Sequence, residues 1–222
     1  SLVTNMERMF DSCQQVTELS LSNFNTQNVT NMLSMFEDCT NLTELDLSNF
    51  NTEKVTNMSA MFNNCTNLGS ITWNSATFNT SSVTNMSNMF YGCNELASLD
   101  LSNFNTSNVT TMNAMFAHCT SLTELNLSSF DTNQVTTFAS MFSNCTNLTS
   151  LNVASFITSS ATDLSWMFGS CESLQAIDVS HFNTFNVINM AGMFNNCQLL
   201  EVIDVSNFNT SKVEDFSWMF QM

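Results

Sequence analysis

Hydrophobic and polar positions recur along this chain with a period of 26 residues, most visibly as the dipeptide Met-Phe. The nine copies of that dipeptide begin at Met9, Met35, Met61, Met89, Met115, Met141, Met167, Met193 and Met219. In eight of them a Cys follows after two intervening residues. A fixed period of this length predicts a solenoid, in which each repeat buries its apolar surface against its neighbours.

We call each copy of the repeat a coil and number its positions, or columns, from the Val or Ala that begins it. Complete coils begin at residues 3, 29, 55, 83, 109, 135, 161 and 187, and a partial one at 213. The coil that begins at Val55 has 28 residues, and its extra pair falls within 74–77. We therefore expect a single array over residues 1–222, with a small loop at the insertion.

The first half of each coil has the apolar spacing of a short helix. Its apolar residues stand at i, i+3, i+4 and i+7, as in Met58, Met61, Phe62 and Cys65. This spacing places them on one helical face. Asn57, just before them, is a residue type that commonly caps a helix N-terminus.

The second half of each coil alternates apolar and polar residues, as in Leu45-Asp46-Leu47, which predicts a short β-strand. Strand, turn and helix repeated along the chain give an α/β solenoid with one parallel sheet and short helices on the other side. Paired strands lie about 4.8 Å apart, whereas packed helices need about 8–10 Å. We therefore expect a curved array with the sheet on its concave side.

The consensus phrase Leu-Asp-Leu-Ser-Asn-Phe-Asn-Thr-x-x-Val-Thr-Asn-Met-Ser-x-Met-Phe-x-x-Cys resembles a known family. It is similar to the BspA-type leucine-rich repeats of bacterial, mycoplasmal and protist surface proteins. Phe50 stands where other leucine-rich repeats have Asn or Cys. The resemblance covers residues 3–222 and implies an extracellular or cell-surface protein used for adhesion or assembly. It carries no catalytic motif.

Charge excludes some partners. The net charge is −16, and the only basic residues are Arg8, Lys54 and Lys212. Such a chain has no Lys/Arg surface for nucleic acid or an anionic membrane. No apolar run approaches the ~18 residues of a membrane span. We expect neither nucleic-acid binding nor direct membrane insertion by this segment.

A group of apolar residues in polar columns marks the C-terminal third as a candidate contact surface. Five large apolar residues occur in columns that are mostly polar in other coils, namely columns 2, 13, 16, 23 and 25. Two Trp residues occupy column 6, which lies opposite the expected core face, and Gly192 stands between them in that column. Concentrated exposed apolar residues are typical of partner contacts. The candidates are Trp166, Trp218, Phe185, Ile157, Ile188, Leu199 and Val202.

Acidic residues line the outward side of the predicted strands and suggest a second candidate surface. Carboxylates stacked on a concave sheet can bind Ca²⁺; the alternative is a solvated acidic face. We expect no other metal and no cofactor. The members of this concave acidic face are Glu44, Asp46, Asp100, Glu124, Asp178 and Asp204.

Four further columns, two of which contain a His, have structural explanations. The Cys column faces the predicted core, and thiols on helices about 8–10 Å apart are too distant for disulfides, so we expect buried, reduced thiols. The Thr column from Thr26 to Thr210 falls in a turn, where hydroxyls cap backbone groups. His118 and His181 replace polar surface residues and have no paired nucleophile.

These observations favour a non-enzymatic extracellular protein that binds a protein or glycan at a cell surface. The alternative is a structural subunit of an extracellular filament, in which copies stack end to end. A heterologous contact that does not close gives such a fibre. An enzyme has little support, because each candidate catalytic residue belongs to a column with a structural role.

Overall fold

The computed structural model describes residues 2–222 and contains two short strands, β1 (Glu44–Leu47) and β2 (Ser70–Trp73). They pair in parallel, with Leu45 opposite Ile71. In β1 the two leucines are buried and the two acidic residues are exposed, as a period of two requires. One side of the sheet therefore covers the core, and the other is open to solvent.

A second set of parallel contacts connects all nine coils through column 3. It consists of single-residue bridges that join Asn5, Asn31, Asn57, Asn85, Thr111, Thr137, Asp163, Asn189 and Asp215 in order. The side chain at this column usually accepts a hydrogen bond from the N–H two residues later, as Asn57 Oδ1 does from Ser59 at 3.0 Å. The capping chemistry predicted here is thus present, but it begins a turn.

The predicted short helices are wrong. Columns 4–11 form tight turns, and residues 2–222 contain no α-helix. Columns 6 and 10 have positive φ in every complete coil, for example 54° at Ala60 and 57° at Asn64. A residue in that conformation cannot continue a right-handed helix. The helix-like spacing instead reflects two successive turns that point the same side chains inward.

The backbone groups of these turns bond to the next coil. The N–H groups of Met58, Ala60, Phe62 and Asn64 donate to carbonyl oxygens of the following coil at 3.1, 2.8, 2.9 and 2.7 Å. The column-8 Phe rings stack above one another, with centroids 5.4–5.8 Å apart. Curvature was predicted because packed helices need a wider spacing, about 8–10 Å, than paired strands. Hydrogen-bonded turns stand where those helices were expected, so this reason for curvature does not apply.

The insertion forms a turn, and it accompanies an unusually large, partly buried residue that packs against the core. The N–H groups of Thr77 and Phe78 both donate to the Asn74 oxygen, at 3.0 and 2.8 Å. Trp73 occupies a column of Leu and Val, and its ring lies 5.2 Å from Phe78 and 5.3 Å from Phe104. The two extra residues lengthen the backbone directly after Trp73. The other coils have an aliphatic side chain at the position of this indole.

Candidate protein-binding surfaces

Three exposed apolar side chains lie at one corner of the solenoid: Ile157, Phe185 and Ile188, which we call the corner patch. They are 47%, 52% and 46% exposed. Buried Thr hydroxyls donate to the carbonyls of Ile157 and Asn183, which places these two residues in one column of adjacent coils. Phe185 follows Asn183 by two residues, and Ile188 continues the same segment. Ile157 therefore lies one coil before the segment 183–188, which contains Phe185 and Ile188.

Leu199 and Val202 lie elsewhere, near the strand side, and are 52% and 78% exposed. Val202 occupies column 16. In the two preceding coils this column contains Ser150 and Ala176, which form a parallel β-bridge and so mark the strand side. The five apolar candidates thus form two surfaces, as their different columns predict.

Packing explains the arrangement of the two Trp residues around Gly192. A Cβ atom added at Gly192 would lie 2.5 Å from Trp166 Cδ2 and Cε2, and one at Gly169 would lie 2.8 Å from Trp166 Cε3. The Trp166 indole is half-buried over these two glycines, and Trp218 stands 6.0 Å from it, centroid to centroid. The sequence alone could not indicate the contact between Trp166 and Gly192, because these residues belong to successive coils. Trp218 is 60% exposed.

The Asp side chains of the acidic face cap the turns that follow the strands. Oδ1 of Asp46, Asp100, Asp178 and Asp204 accepts the N–H of the Ser two residues later at 2.8–3.0 Å. Hydrogen bonds from these Ser residues lower the pKa of each Asp. The carboxylates are therefore ionised at neutral pH and have a local structural role.

A shallow cleft of about 440 Å³ opens on the strand side of the first three coils. Its outward-facing lining includes Glu18, Glu44, Asp46 and Thr72. Asp100, Glu124, Asp178 and Asp204 lie outside it, so the acidic face is a line of residues rather than one site. Among residues 2–222, no group of three or more His, Cys, Asp or Glu is placed to hold a metal ion. Binding of Ca²⁺ stays a prediction.

The Thr column has a larger role than the predicted turn capping, because it links successive coils. From Thr26 to Thr184 these side chains are at most 2% exposed. Thr132 Oγ1 donates to the Ile157 oxygen at 3.0 Å and accepts the Ile157 N–H at 2.7 Å. A single hydroxyl therefore satisfies both backbone groups of a residue in the next coil.

Replacing Thr132 by Val should lower the free energy of unfolding by about 2 kcal/mol, because the two Ile157 backbone groups lose their partner. Thr136→Val is the matched control. Thr136 is exposed, and its backbone N–H also bonds to Thr110, so loss of its hydroxyl should cost under about 0.5 kcal/mol. Denaturant titration of both variants measures the difference. Equal losses would contradict the assigned role of the buried hydroxyl.

Seven of the eight Cys side chains are buried as free thiols, and Cys13 is partly exposed. Each buried thiol donates to the carbonyl of the Phe in the preceding coil, as Cys119 Sγ does to Phe90 at 3.1 Å. Burial raises the pKa of Cys119 to about 12 and that of Cys39 to about 11. The prediction of buried thiols is confirmed for seven of the eight Cys residues, although they lie in turns rather than on helices.

In a reaction with Ellman's reagent at neutral pH, we expect one fast thiol in the native protein and eight after unfolding. The thiolate is the reactive form, and burial both disfavours it and blocks access. Cys13→Ser should remove the fast phase. Several fast thiols in the native Cys13→Ser variant would contradict the buried arrangement.

The two His residues have neighbours that explain them structurally. His181 Nε2 lies 3.0 Å from the Val153 oxygen, and Ser155 makes the equivalent bond to Leu127 one coil earlier. The His118 ring lies 5.0 Å from Tyr91. Both residues link neighbouring coils.

Comparison with protein families settles the relationship of this chain. The family described as "Mycoplasma protein of unknown function, DUF285" matches residues 1–76, 67–176 and 145–222. These matches together cover the whole length. The chain belongs to this family. The expected resemblance to BspA-type leucine-rich repeats is thereby confirmed.

Solved structures show that this DUF285 chain has a leucine-rich-repeat fold. A leucine-rich repeat protein from Bacteroides ovatus ATCC 8483 superposes with a TM-score of 0.55 at 17% identity, covering 91% of this chain and 52% of that one. One from Eubacterium ventriosum ATCC 27560 gives 0.51 at 19% identity, covering 88% and 53%. The chain therefore spans about half the length of each. No curated protein sequence matches it.

The described part of this DUF285 chain, residues 2–222, has no helix long and apolar enough to cross a membrane. The side chains of its polar columns connect coils or cap turns. The outward-facing positions at which the residue type changes between coils lie in the corner patch, on the strand side and in column 6. It is a leucine-rich-repeat-type repeat protein, and its candidate binding surfaces are outward-facing columns.

Proposed function

We propose that this chain is a non-enzymatic repeat protein that presents a surface for protein binding at the outside of a cell. One observation carries the proposal: five large apolar side chains of inner coils are 46–78% exposed in columns that are mostly polar elsewhere in the array. Because other coils fold with Asn, Ser, Thr or Glu at these positions, folding does not require the apolar residues. Concentrated exposed apolar side chains are typical of a partner contact.

Two further features support this function. The columns that could supply catalytic groups are engaged in structure: the Cys thiols and Thr hydroxyls bond to neighbouring coils, and the Asp carboxylates cap turns. The resemblance to BspA-type surface repeats supports a location outside the cell, where adhesion to a protein or glycan would take place. A stack of coils also supplies a long rigid surface, which is how repeat proteins commonly bind partners.

The repeat provides the test, since each residue can be replaced by one found in its own column. The variant Ile157→Asn, Phe185→Ser, Ile188→Thr, Leu199→Asn and Val202→Ser should keep the melting temperature of the parent. Binding of the labelled variant to cultured cells, measured by flow cytometry, should be at least about tenfold weaker than that of the parent. Cell binding equal to that of the parent, with an unchanged melting temperature, would refute the proposal.

End-to-end assembly into a filament is the second candidate, and the directional contact between coils favours it. N–H groups at columns 4, 6, 8 and 10 of one coil donate to carbonyls of the next, for example Phe116 to Met141 at 2.9 Å. Copies stacked head to tail could reproduce this contact, including the ring stack. Light scattering and electron microscopy test it: long particles with a regular axial repeat support a filament, and a monomer rules it out.

A further inference from the structure

Hydrogen bonds to neighbouring coils hold the backbone of the corner patch, and one cation contacts its aromatic ring. Lys212 Nζ lies 4.2 Å from the centre of the Phe185 ring and donates to Asn186 Oδ1 at 2.9 Å. The Ile188 N–H bonds to the Thr162 oxygen at 2.8 Å. Ile157 is bonded through both of its backbone groups to Thr132. A surface that is already ordered loses little conformational entropy on binding.

Acidic residues border the corner patch on both sides along the array. Asp131 precedes Ile157 in its column, where the Thr106 hydroxyl donates to its carbonyl at 2.8 Å. On the other side, Glu214 follows Ile188 in column 2, and its N–H donates to the Ile188 oxygen at 2.8 Å. Both acidic side chains are exposed.

One basic side chain, Lys212, lies at this corner, and its Nζ contacts Phe185 and Asn186. Arg8 and Lys54, the other two basic residues of the chain, belong to the first two coils. With a net charge of −16, the wider surface is also acidic. The border therefore favours positively charged groups on whatever covers the patch.

We propose that the corner patch docks an amphipathic segment of a partner protein, with its apolar side chains on Ile157, Phe185 and Ile188 and its basic side chains beside Asp131 and Glu214. This inference rests on the proposed protein-binding function and names the partner class for one of its two surfaces. A second copy of this chain fits this patch poorly, because its basic residues are Arg8, Lys54 and Lys212 alone, which leaves it without the basic segment that the acidic border favours.

The test uses three fluorescent synthetic peptides of equal length in anisotropy titrations with the full chain. One peptide is an amphipathic helix of Leu and Lys, the second has Glu in place of Lys, and the third has Ser in place of Leu. The corner variant is Ile157→Asn, Phe185→Ser and Ile188→Thr, and the matched control is Leu199→Asn with Val202→Ser. All of these replacements leave the net charge unchanged.

We expect the Leu/Lys peptide to bind the parent and the control variant alike, and the corner variant at least about tenfold more weakly. The Leu/Glu and Ser/Lys peptides should bind the parent more weakly than the Leu/Lys peptide. A further variant, Asp131→Asn with Glu214→Thr, should weaken binding of the Leu/Lys peptide and reduce its dependence on salt.

Three results would overturn the inference. Equal affinity of the parent and the corner variant for the Leu/Lys peptide would mean that net charge alone attracts it. Equal affinity of the parent for the Leu/Glu and Leu/Lys peptides would contradict the proposed preference for a partner with basic side chains. Self-association lost in the corner variant would identify a second copy as the occupant. In each case the cell-binding experiment tests the proposed function separately: cell binding that depends on the apolar residues would preserve that function without this partner class.

Discussion

Replacing Phe116 by Ala should destabilise the array by about 3–5 kcal/mol, the usual cost of removing a fully buried Phe from a well-packed core. Phe116 is 1% exposed and lies between Phe90 and Phe142, with ring centroids 5.5 and 5.7 Å away. The substitution opens a cavity bordered by two coils and breaks the continuous ring stack. The free energy of unfolding from denaturant titration measures the loss.

Phe220→Ala is the control for this substitution. Phe220 occupies the same column and lies 5.8 Å from Phe194, but it has one ring neighbour and is 46% exposed. Its truncation should cost less than half as much as that of Phe116. Because each repeat contacts only its neighbours, the central substitution should also reduce cooperativity and give a broader transition. Equal costs at the two sites would mean that the ring stack does not carry the stability assigned to it.

The sequence predicts the inward columns well, because burial follows the repeated apolar residues directly. Leu45 and Leu47 face the core as their alternation requires, and the Cys column is buried apart from the partly exposed Cys13. The insertion at 74–77 forms a turn. These features depend on the pattern within one coil and on its repetition, and both are visible in a single sequence.

The helix prediction fails because column 6, the first position that interrupts the helix, has little sequence signal. Positive φ favours Gly, Asn and Asp, and column 10 has such residues in most coils, for example Asn64 and Gly92, but they are also usual at the end of a helix. Column 6 has Gly only at Gly192 and residues such as Ala60 in other coils. The i, i+3, i+4 spacing is shared by a helix and by two successive turns. The hydrogen bonds that decide between them run to the next coil, as from Phe62 to Met89, and are not encoded in local spacing.

The apolar residues of the candidate surfaces were predictable as departures from their columns, but their grouping was not. Phe185 and Ile188 join Ile157 at one corner because the Thr hydroxyl bonds fix which residues of successive coils are neighbours. The pair Trp166 and Trp218 also stood out in the sequence. The contact of Trp166 with Gly169 and Gly192 gives that column a packing role that sequence alone left unexplained.

Gly192→Ala should destabilise the protein by about 3 kcal/mol, from overpacking and from left-handed backbone strain. The added Cβ would lie 2.5 Å from Trp166 Cδ2 and Cε2, and Gly192 has a φ of +61°. The backbone accepts Ala at this column, since Ala60 and Ala114 have φ of 54° and 52°. The larger part of the cost should therefore come from the indole.

A double-mutant cycle with Trp166→Ala separates the two contributions. In the Trp166→Ala background, Gly192→Ala should cost only about 1 kcal/mol, the strain of a left-handed residue, so the interaction energy should be about 2 kcal/mol. Gly69→Ala is the spatial control, because its nearest atoms are 3.8 and 3.9 Å away. Denaturant titration gives each free energy of unfolding, and tryptophan fluorescence should shift to the red if the added methyl group displaces the indole into solvent. An equal cost of Gly192→Ala in both backgrounds would show that Trp166 does not lie over Gly192, and Trp166 would then be free to contact a partner.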